Sequence, residues 1–283
     1  MEKTVKTPDP YKIEESYTLN EVDFDIDKAL IIKVLSGSHA YGMARPDSDI
    51  DIRGVFIEPL ENKLTLNGGK KVVKSIEGQG DVVYHELQEF CRQASTMSVN
   101  AVQILFTPPE AMLEIDECGQ ALMQAREAFL NRRAKHSYAG FAFGEALLAV
   151  KNTATSHSEL REKHGYDTKR AMNAVRICRM GVELMSTGTI NLRRIDGDEL
   201  KSIQAGKYEA DQFAVIDKKT DVDGKTRDQI VGGVMFKEYG RLLEAAAASV
   251  LPEQPDVERI NRMMLRLTQR KLGIKTNKKE QSR

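Results

Sequence analysis

The sequence has no tryptophan, only three cysteines and no net charge, and each lack removes a class of protein. With aromatics at 6% of 283 residues, an extended platform for stacking bases is unsupported. Cys91, Cys118 and Cys178 are odd in number, widely spaced and without a CxxC pair, so neither a disulfide framework nor a zinc knuckle is expected; they read as reduced, buried thiols. Acidic and basic residues number 42 each, so no global field draws the molecule to nucleic acid or to an anionic membrane, and any such affinity must come from local patches. No apolar run approaches the roughly 18–20 residues of a membrane span. The opening "MEKTVKTPDPYKIEES" mixes acid and base without an apolar signal core, so the expectation is a cytoplasmic protein with no membrane contact.

What is present is globular: 41% hydrophobic and 30% charged residues, in a length that suits two domains. From residue 30 to about 85 the texture is of strands and turns. "ALIIKVLSG" is a β-rich run ending in glycine, "DIDIRGVFI" alternates, and Gly-rich turns separate the β-branched runs of "NKLTLNGGKKVVKSIEGQGDVVYHE". Helical periodicity then takes over. "ELQEFCRQAS" places Leu87, Phe90 and Cys91 or Ala94 on one side, and "NAVQILFTPPE" is stopped by Pro108 and Pro109. "QALMQAREAFLNRRA", "YAGFAFGEALLAV", "TKRAMNAVRICRMGVELMST" and "DQIVGGVMFKEYGRLLEAAAASV" each read as helix. In the third, Ala171, Ala174, Val175, Cys178, Val182 and Met185 form an apolar stripe ended by Gly188. "IDKKTDVDGKTRDQ" reads as a polar surface loop. The fold class expected is α+β: a mixed sheet with flanking helices over residues 1–120, a mainly helical domain over 121–270, and a basic, frayed tail over 271–283 that is also open to touching RNA phosphates.

The chemistry concentrates in "LSGSHAYGMARPDSDIDIRGVFIEP". Gly37 lets the backbone turn sharply after a strand, and Ser38 suits the cap of a short helix, leaving backbone N–H groups free for an anion such as phosphate. Pro46 and Asp47 turn the chain into a strand with Asp49 and Asp51 on one face and Ile50 and Ile52 on the other. Two like charges so placed require a cation between them. A carboxylate pair beside a phosphate cradle supplies the oxygen ligands that magnesium prefers, and a third carboxylate on a neighbouring strand would allow two metals. Asp81 is the nearest candidate, with Glu86 and Glu77 behind it.

"GSHAYG" followed by "SDIDIR" resembles the signature of the DNA polymerase β-type nucleotidyltransferase superfamily. More narrowly, that block together with "DVVYHELQEFCRQAS", "NAVQILFTPPE" and "GYDTKRAMNAVRICRMGVELMSTGTINL" is similar, over about residues 30 to 210, to the predicted bacterial and phage nucleotidyltransferases associated in part with RNA repair. The resemblance implies a nucleotidyltransferase-type sheet domain, with Gly37 and Ser38 as the triphosphate-binding turn and Asp49 and Asp51 as metal ligands. It implies Asp81 as the carboxylate that orients or deprotonates the acceptor hydroxyl. "EGQG" before Asp81 departs from the apolar strand common in the superfamily.

Lys169, Asn173 and Arg176 are four and three apart, hence on one helix face, which is either a solvated surface or a set reaching across a cleft to the nucleotide; Tyr166 and Asp167 belong to the same segment. Arg53 either contacts a phosphate or neutralises the aspartate pair, and His39 either approaches a phosphate or is structural. His85, His136, His157 and His164 lack metal spacing and read as structural or surface residues. The expected activity is transfer of a nucleoside monophosphate from an NTP to a hydroxyl, with two Mg2+ (or Mn2+) ions and release of pyrophosphate, the acceptor being an RNA or tRNA 3′ end. Nucleotidylation of a protein or small molecule, and a non-catalytic nucleotide- or RNA-binding module, stand as alternatives.

Overall fold

The computed structural model describes residues 24–66, 69, 71–77, 80–151, 157–220 and 223–274. The N-terminal part is a five-stranded mixed sheet in the order β3-β4-β2-β1-β5. Its strands are β1 (Leu30–Leu35), β2 (Ile52–Phe56), β3 (Val72–Glu77), β4 (Gly80–Glu86) and β5 (Met112–Ile115). β1 lies antiparallel to both β2 and β5, β2 is parallel to β4, and β3 closes a hairpin onto β4. β1 is buried along most of its length, as its unbroken apolar run requires of a central strand flanked on both sides.

Helices cover the sheet and then extend beyond it. Leu87–Ser95 follows β4 directly, capped by the Glu86 side chain on the Gln88 N–H, with Leu87, Phe90, Cys91 and Ala94 buried as their spacing predicts. Val99–Leu105 ends ahead of Pro108 and Pro109. "QALMQAREAFLNRRA" divides into the end of a helix, Glu117–Gln124, and a 3-10 turn, Arg126–Phe129. The long helices Ala134–Val150 and Thr168–Thr187 pack on each other; the second starts at an Asp167 cap and ends at Gly188, whose φ of 71° supplies the left-handed stop.

Two expectations are corrected here. The stretch read as a polar loop is a hairpin of β6 (Val215–Thr220) and β7 (Thr226–Gly232), and the helix placed over residues 228–250 begins only at Gly233. Both errors have one cause: the charged residues of "IDKKT" and "TRDQIVG" face solvent on a two-stranded ribbon, so no apolar alternation marks them.

One buried apolar cluster runs from Ile31, Ile32 and Val34 of β1 through Phe90 and Leu105 to Tyr138, Leu184, Leu242 and Leu267, joining sheet and helical parts. The helix Val257–Lys271 returns to the sheet part, where the Lys271 ammonium donates to the Leu30 carbonyl at 2.8 Å and pairs with Asp116 at 2.7 Å. Cys91, Cys118 and Cys178 are buried, free thiols, and burial pushes each above its ordinary value. Among the described residues no helix is long and apolar enough to cross a membrane. Residues 275–283, the greater part of the basic tail, lie outside the described residues.

Candidate active site

β1 ends at Leu35, and the chain leaves the sheet at Gly37, whose φ of 59° is accessible at little cost only to glycine. A side chain there would also collide with Asp51: a β-carbon on Gly37 would stand 2.6 Å from Asp51 Oδ2. The turn therefore contains glycine for two reasons, one conformational and one that admits the carboxylate. The short helix Gly37–Ala40 follows. Ser36, not Ser38, occupies its cap position and makes no side-chain cap bond; the Ser36 hydroxyl instead accepts from Arg53 Nε at 3.2 Å.

Asp49 and Asp51 precede β2 rather than lying in it, and Ile50 is 54% exposed instead of forming an apolar face. The reason is local. The last rung joining the two segments is the Ser36 N–H to the Asp51 carbonyl at 2.8 Å, and beyond it Gly37 carries the first segment away, so residues 49 and 50 lose their β1 partner. Asp51 Oδ1 accepts the backbone N–H of Asp81 at 3.3 Å, which sets β4 beside it. Gly80 permits this approach, because a β-carbon at that position would overlap the Ile50 carbonyl. The glycine that departs from the usual apolar lead-in thus has a packing reason.

These residues line a cleft of about 450 Å3 between the two parts of the chain. Gly37, Ser38, Asp49 and Asp51 form its sheet wall; Lys169, Met172, Asn173 and Arg176 of the Thr168–Thr187 helix face them. Arg176 is 5% exposed, its guanidinium stacks 3.9 Å from the Tyr41 ring centroid, and its Nη2 donates to Asn173 Oδ1 at 3.3 Å while Nε has no partner. Tyr41 is itself fixed by its hydroxyl donating to buried Gln103 at 2.8 Å. Lys169 has no ion pair among the described residues, and neither has Asp49. The lining holds four carboxylates, Asp47, Asp49, Asp51 and Glu159, against the cations Arg45, Lys169 and Arg176. An anionic ligand entering here meets unneutralised acid unless a cation accompanies it.

Asp81 and Arg53 lie outside this lining. They share a second hollow of about 640 Å3 with Lys74, His85, Gln93 and Asn100. The in-register pairs Arg53 with Val83 and Ile52 with Val82 put Asp51 and Asp81 at the same end of adjacent parallel strands, so the two carboxylates form the partition between cleft and hollow. His85 is held below its ordinary value, first by burial and then by Arg53, against an opposing pull from Glu89, with Lys74 adding least. Of the two reserve candidates for the third carboxylate, Glu86 is buried, pairs with Lys63 at 2.5 Å and caps the next helix; the Glu77 side chain lies outside the described residues.

Among the described residues no three His, Cys, Asp or Glu side chains are gathered closely enough to hold a metal, so Asp49, Asp51 and Asp81 are not a preassembled cage. The donor chemistry nevertheless fits a hard divalent ion completed by ligand oxygens: carboxylates only, with no imidazole or thiolate in the sheet wall. Tyr166 and Asp167 are fully buried and do not line the cleft, Tyr166 donating to the Tyr208 carbonyl at 2.8 Å. His39 Nε2 is buried without a partner.

His157 was missed: read from sequence as structural or surface, it lines the cleft. No spacing could have found it, since it lies outside the Thr168–Thr187 helix and is tied to the cap of that helix, Asp167, across ten residues of chain. The loop residues Arg45 and Ser48 also reach the cleft without any distinguishing pattern.

A mixed sheet that presents a Gly-Ser turn and a carboxylate pair to a cleft closed by a cationic helix is a nucleotidyltransferase-type arrangement. Residues 12–266 match the RNA repair pathway DNA polymerase beta family (RlaP), and the chain belongs to that family, a DNA polymerase β-like nucleotidyltransferase family linked to RNA repair. It is also similar, at 27% identity over 182 residues, to an uncharacterized 38.9 kDa protein of the nrdC-mobD intergenic region of Enterobacteria phage T4; the match covers 60% of this chain and 51% of that protein. The chain thus spans about half the length of the curated relative it matches.

Proposed function

We propose that the protein is a metal-dependent nucleotidyltransferase that moves a nucleoside monophosphate from an NTP to a hydroxyl, with an RNA 3′ end, tRNA included, as acceptor. The observation that carries the reading is the cleft itself: two carboxylates without cationic partners among the described residues on one wall, and Lys169, Asn173 and the partly unsatisfied Arg176 on the other. A binder of polyphosphate gains nothing from bare acids, whereas phosphoryl-type transfer needs them to hold a cation against the substrate. A bound Mg2+ or Mn2+, held by Asp49 and Asp51 with Asp81 as a further ligand, would neutralise the triphosphate and activate the acceptor oxygen.

The chain's own groups do the positioning. Backbone N–H groups of the Gly37–Ser38 turn hold phosphate oxygens, Lys169 adds a charge from the opposite wall, and Arg176 is kept in place by Tyr41 and Asn173. The acceptor enters from the hollow on the far side of the carboxylate partition, where Arg53 and Lys74 suit the phosphates of a polynucleotide end. Its hydroxyl oxygen bonds to the α-phosphorus and its proton passes to Asp81, while the bond to the β-phosphate oxygen breaks and pyrophosphate leaves with the electron pair. Incubation with each of four α-labelled NTPs, Mg2+ and an RNA mixture is expected to label RNA at 3′ ends. Label appearing on protein or small molecules would change the acceptor, and none appearing anywhere would overturn the assignment.

A further inference from the structure

We infer that His157 is a phosphate-binding residue of the cleft, its Nε2–H donating, in the protonated ring, to the terminal phosphates of the nucleotide. The inference rests on the nucleotide-site reading above. His157 lines the cleft beside Lys169, and its backbone is left-handed at φ 57° and ψ 42°; with Met97 it is one of two non-glycine residues of positive φ among the described residues. Such a conformation is uncommon outside glycine and persists where surrounding contacts over-determine it.

Those contacts are specific. Nδ1 lies 2.8 Å from Oδ2 of Asp167, a carboxylate with no exposed surface whose Oδ1 caps the Arg170 N–H at 3.1 Å. A carboxylate on Nδ1 fixes the ring with its proton there and leaves Nε2 as the nitrogen available to a ligand. Asp167 does not depend on the ring for a counter-charge: Arg161 stands 3.8 Å and Arg170 3.5 Å from it, and Arg170 also pairs with Glu145 at 2.8 Å. A proton gained by His157 is therefore a net positive charge presented to the cleft, where Glu159 opposes it and Lys169 reinforces it. A terminal phosphate favours that proton, so polyphosphate should bind more tightly at low pH than at high pH. Nucleoside monophosphate, which lacks the terminal phosphates, should not depend on His157.

The test is calorimetric titration of inorganic tripolyphosphate, with Mg2+ present, at about pH 6 and about pH 8. His157→Asn keeps an amide nitrogen where Nδ1 meets Asp167 but removes Nε2; His157→Gln keeps a donor near Nε2 and gives up the Asp167 contact. Expected is a loss of about tenfold in affinity for His157→Asn at the lower pH, shrinking to about twofold at the higher, with His157→Gln retaining most of the binding but none of the pH slope. A His157→Asn protein that melts and binds like the wild type at both pH values overturns the inference, and so does one that loses thermal stability while its affinity and slope stay the same. Lys169→Ala separates the two levels. If it weakens tripolyphosphate binding about tenfold while His157→Asn does not, this inference alone fails; if wild type does not bind tripolyphosphate, the nucleotide-site reading fails with it.

Discussion

The two walls of the cleft are held by opposite means. On the sheet side, Gly37 and Gly80 let backbone and carboxylates crowd together, and the acids there have few partners: Asp49 has none among the described residues, and Asp51 accepts a single N–H at long range. Behind the helical wall the charges are paired with one another. Asp167 is surrounded by His157, Arg161 and Arg170, while Arg179 reaches Asp196, Glu199 and Glu238 at 2.8 Å each. Such a contrast separates a wall that is kept unsatisfied for a ligand from one whose rigidity aims a few free donors, Lys169 foremost.

That contrast can be broken at several points. Asp49→Asn and Asp51→Asn are expected to lower nucleotidyl transfer by about a thousandfold or more while leaving the melting temperature unchanged or raised, since each removes a charge that repels its neighbour. Transfer assays and thermal melts of the same preparations check this; loss of stability comparable to loss of activity would erase the distinction between the walls. Asp167→Ala should behave in the reverse sense, destabilising the fold by about 3 kcal/mol because it removes a fully buried carboxylate that caps the Thr168–Thr187 helix and pairs with two half-buried guanidiniums, with denaturant unfolding as the measurement. Gly37→Ala should cost about a hundredfold in turnover, through the left-handed turn and the displaced Asp51 carboxylate together, and full activity would show that Asp51 is free to move.

The smallest effect concerns the hollow lined by Asp81 and His85. The folded chain holds His85 below its ordinary value of 6.5, so the neutral ring is favoured in the fold and the unfolded chain takes up the proton first. Stability from this group is complete above that value and is lost as pH falls through it towards the lower folded value. In melts across pH 8 to 5, about the imidazole range, His85→Gln should flatten the decline relative to wild type. An identical decline in both proteins would mean that His85 is not desolvated there.

How much was legible depended on the kind of signal. The helix Thr168–Thr187 was readable because an apolar stripe at 3.6 spacing and the Gly188 stop agree, and the face carrying Lys169, Asn173 and Arg176 followed from the same period. The β6–β7 hairpin was not, since a solvent-facing ribbon leaves no apolar alternation to detect. Asp49 and Asp51 were found as a pair but misplaced into a strand, because where a strand ends is set by when its neighbour leaves, and that neighbour is 15 residues earlier in the chain. The link from His157 to Asp167 crosses between two elements and carries no periodicity at all.

The sequence by itself determined the local chemistry: a glycine where the backbone must turn left-handed, serines and paired carboxylates beside it, and cations at helical spacing far downstream. These are properties of short segments, and their physics is local. Only the tertiary structure decided that Lys169 and Arg176 face Gly37 and Asp51, that Asp81 opens onto a different hollow, and that a buried aspartate orients His157. Those placements depend on how one continuous core packs helices against the sheet, which is settled by the whole chain at once and by no single segment of it.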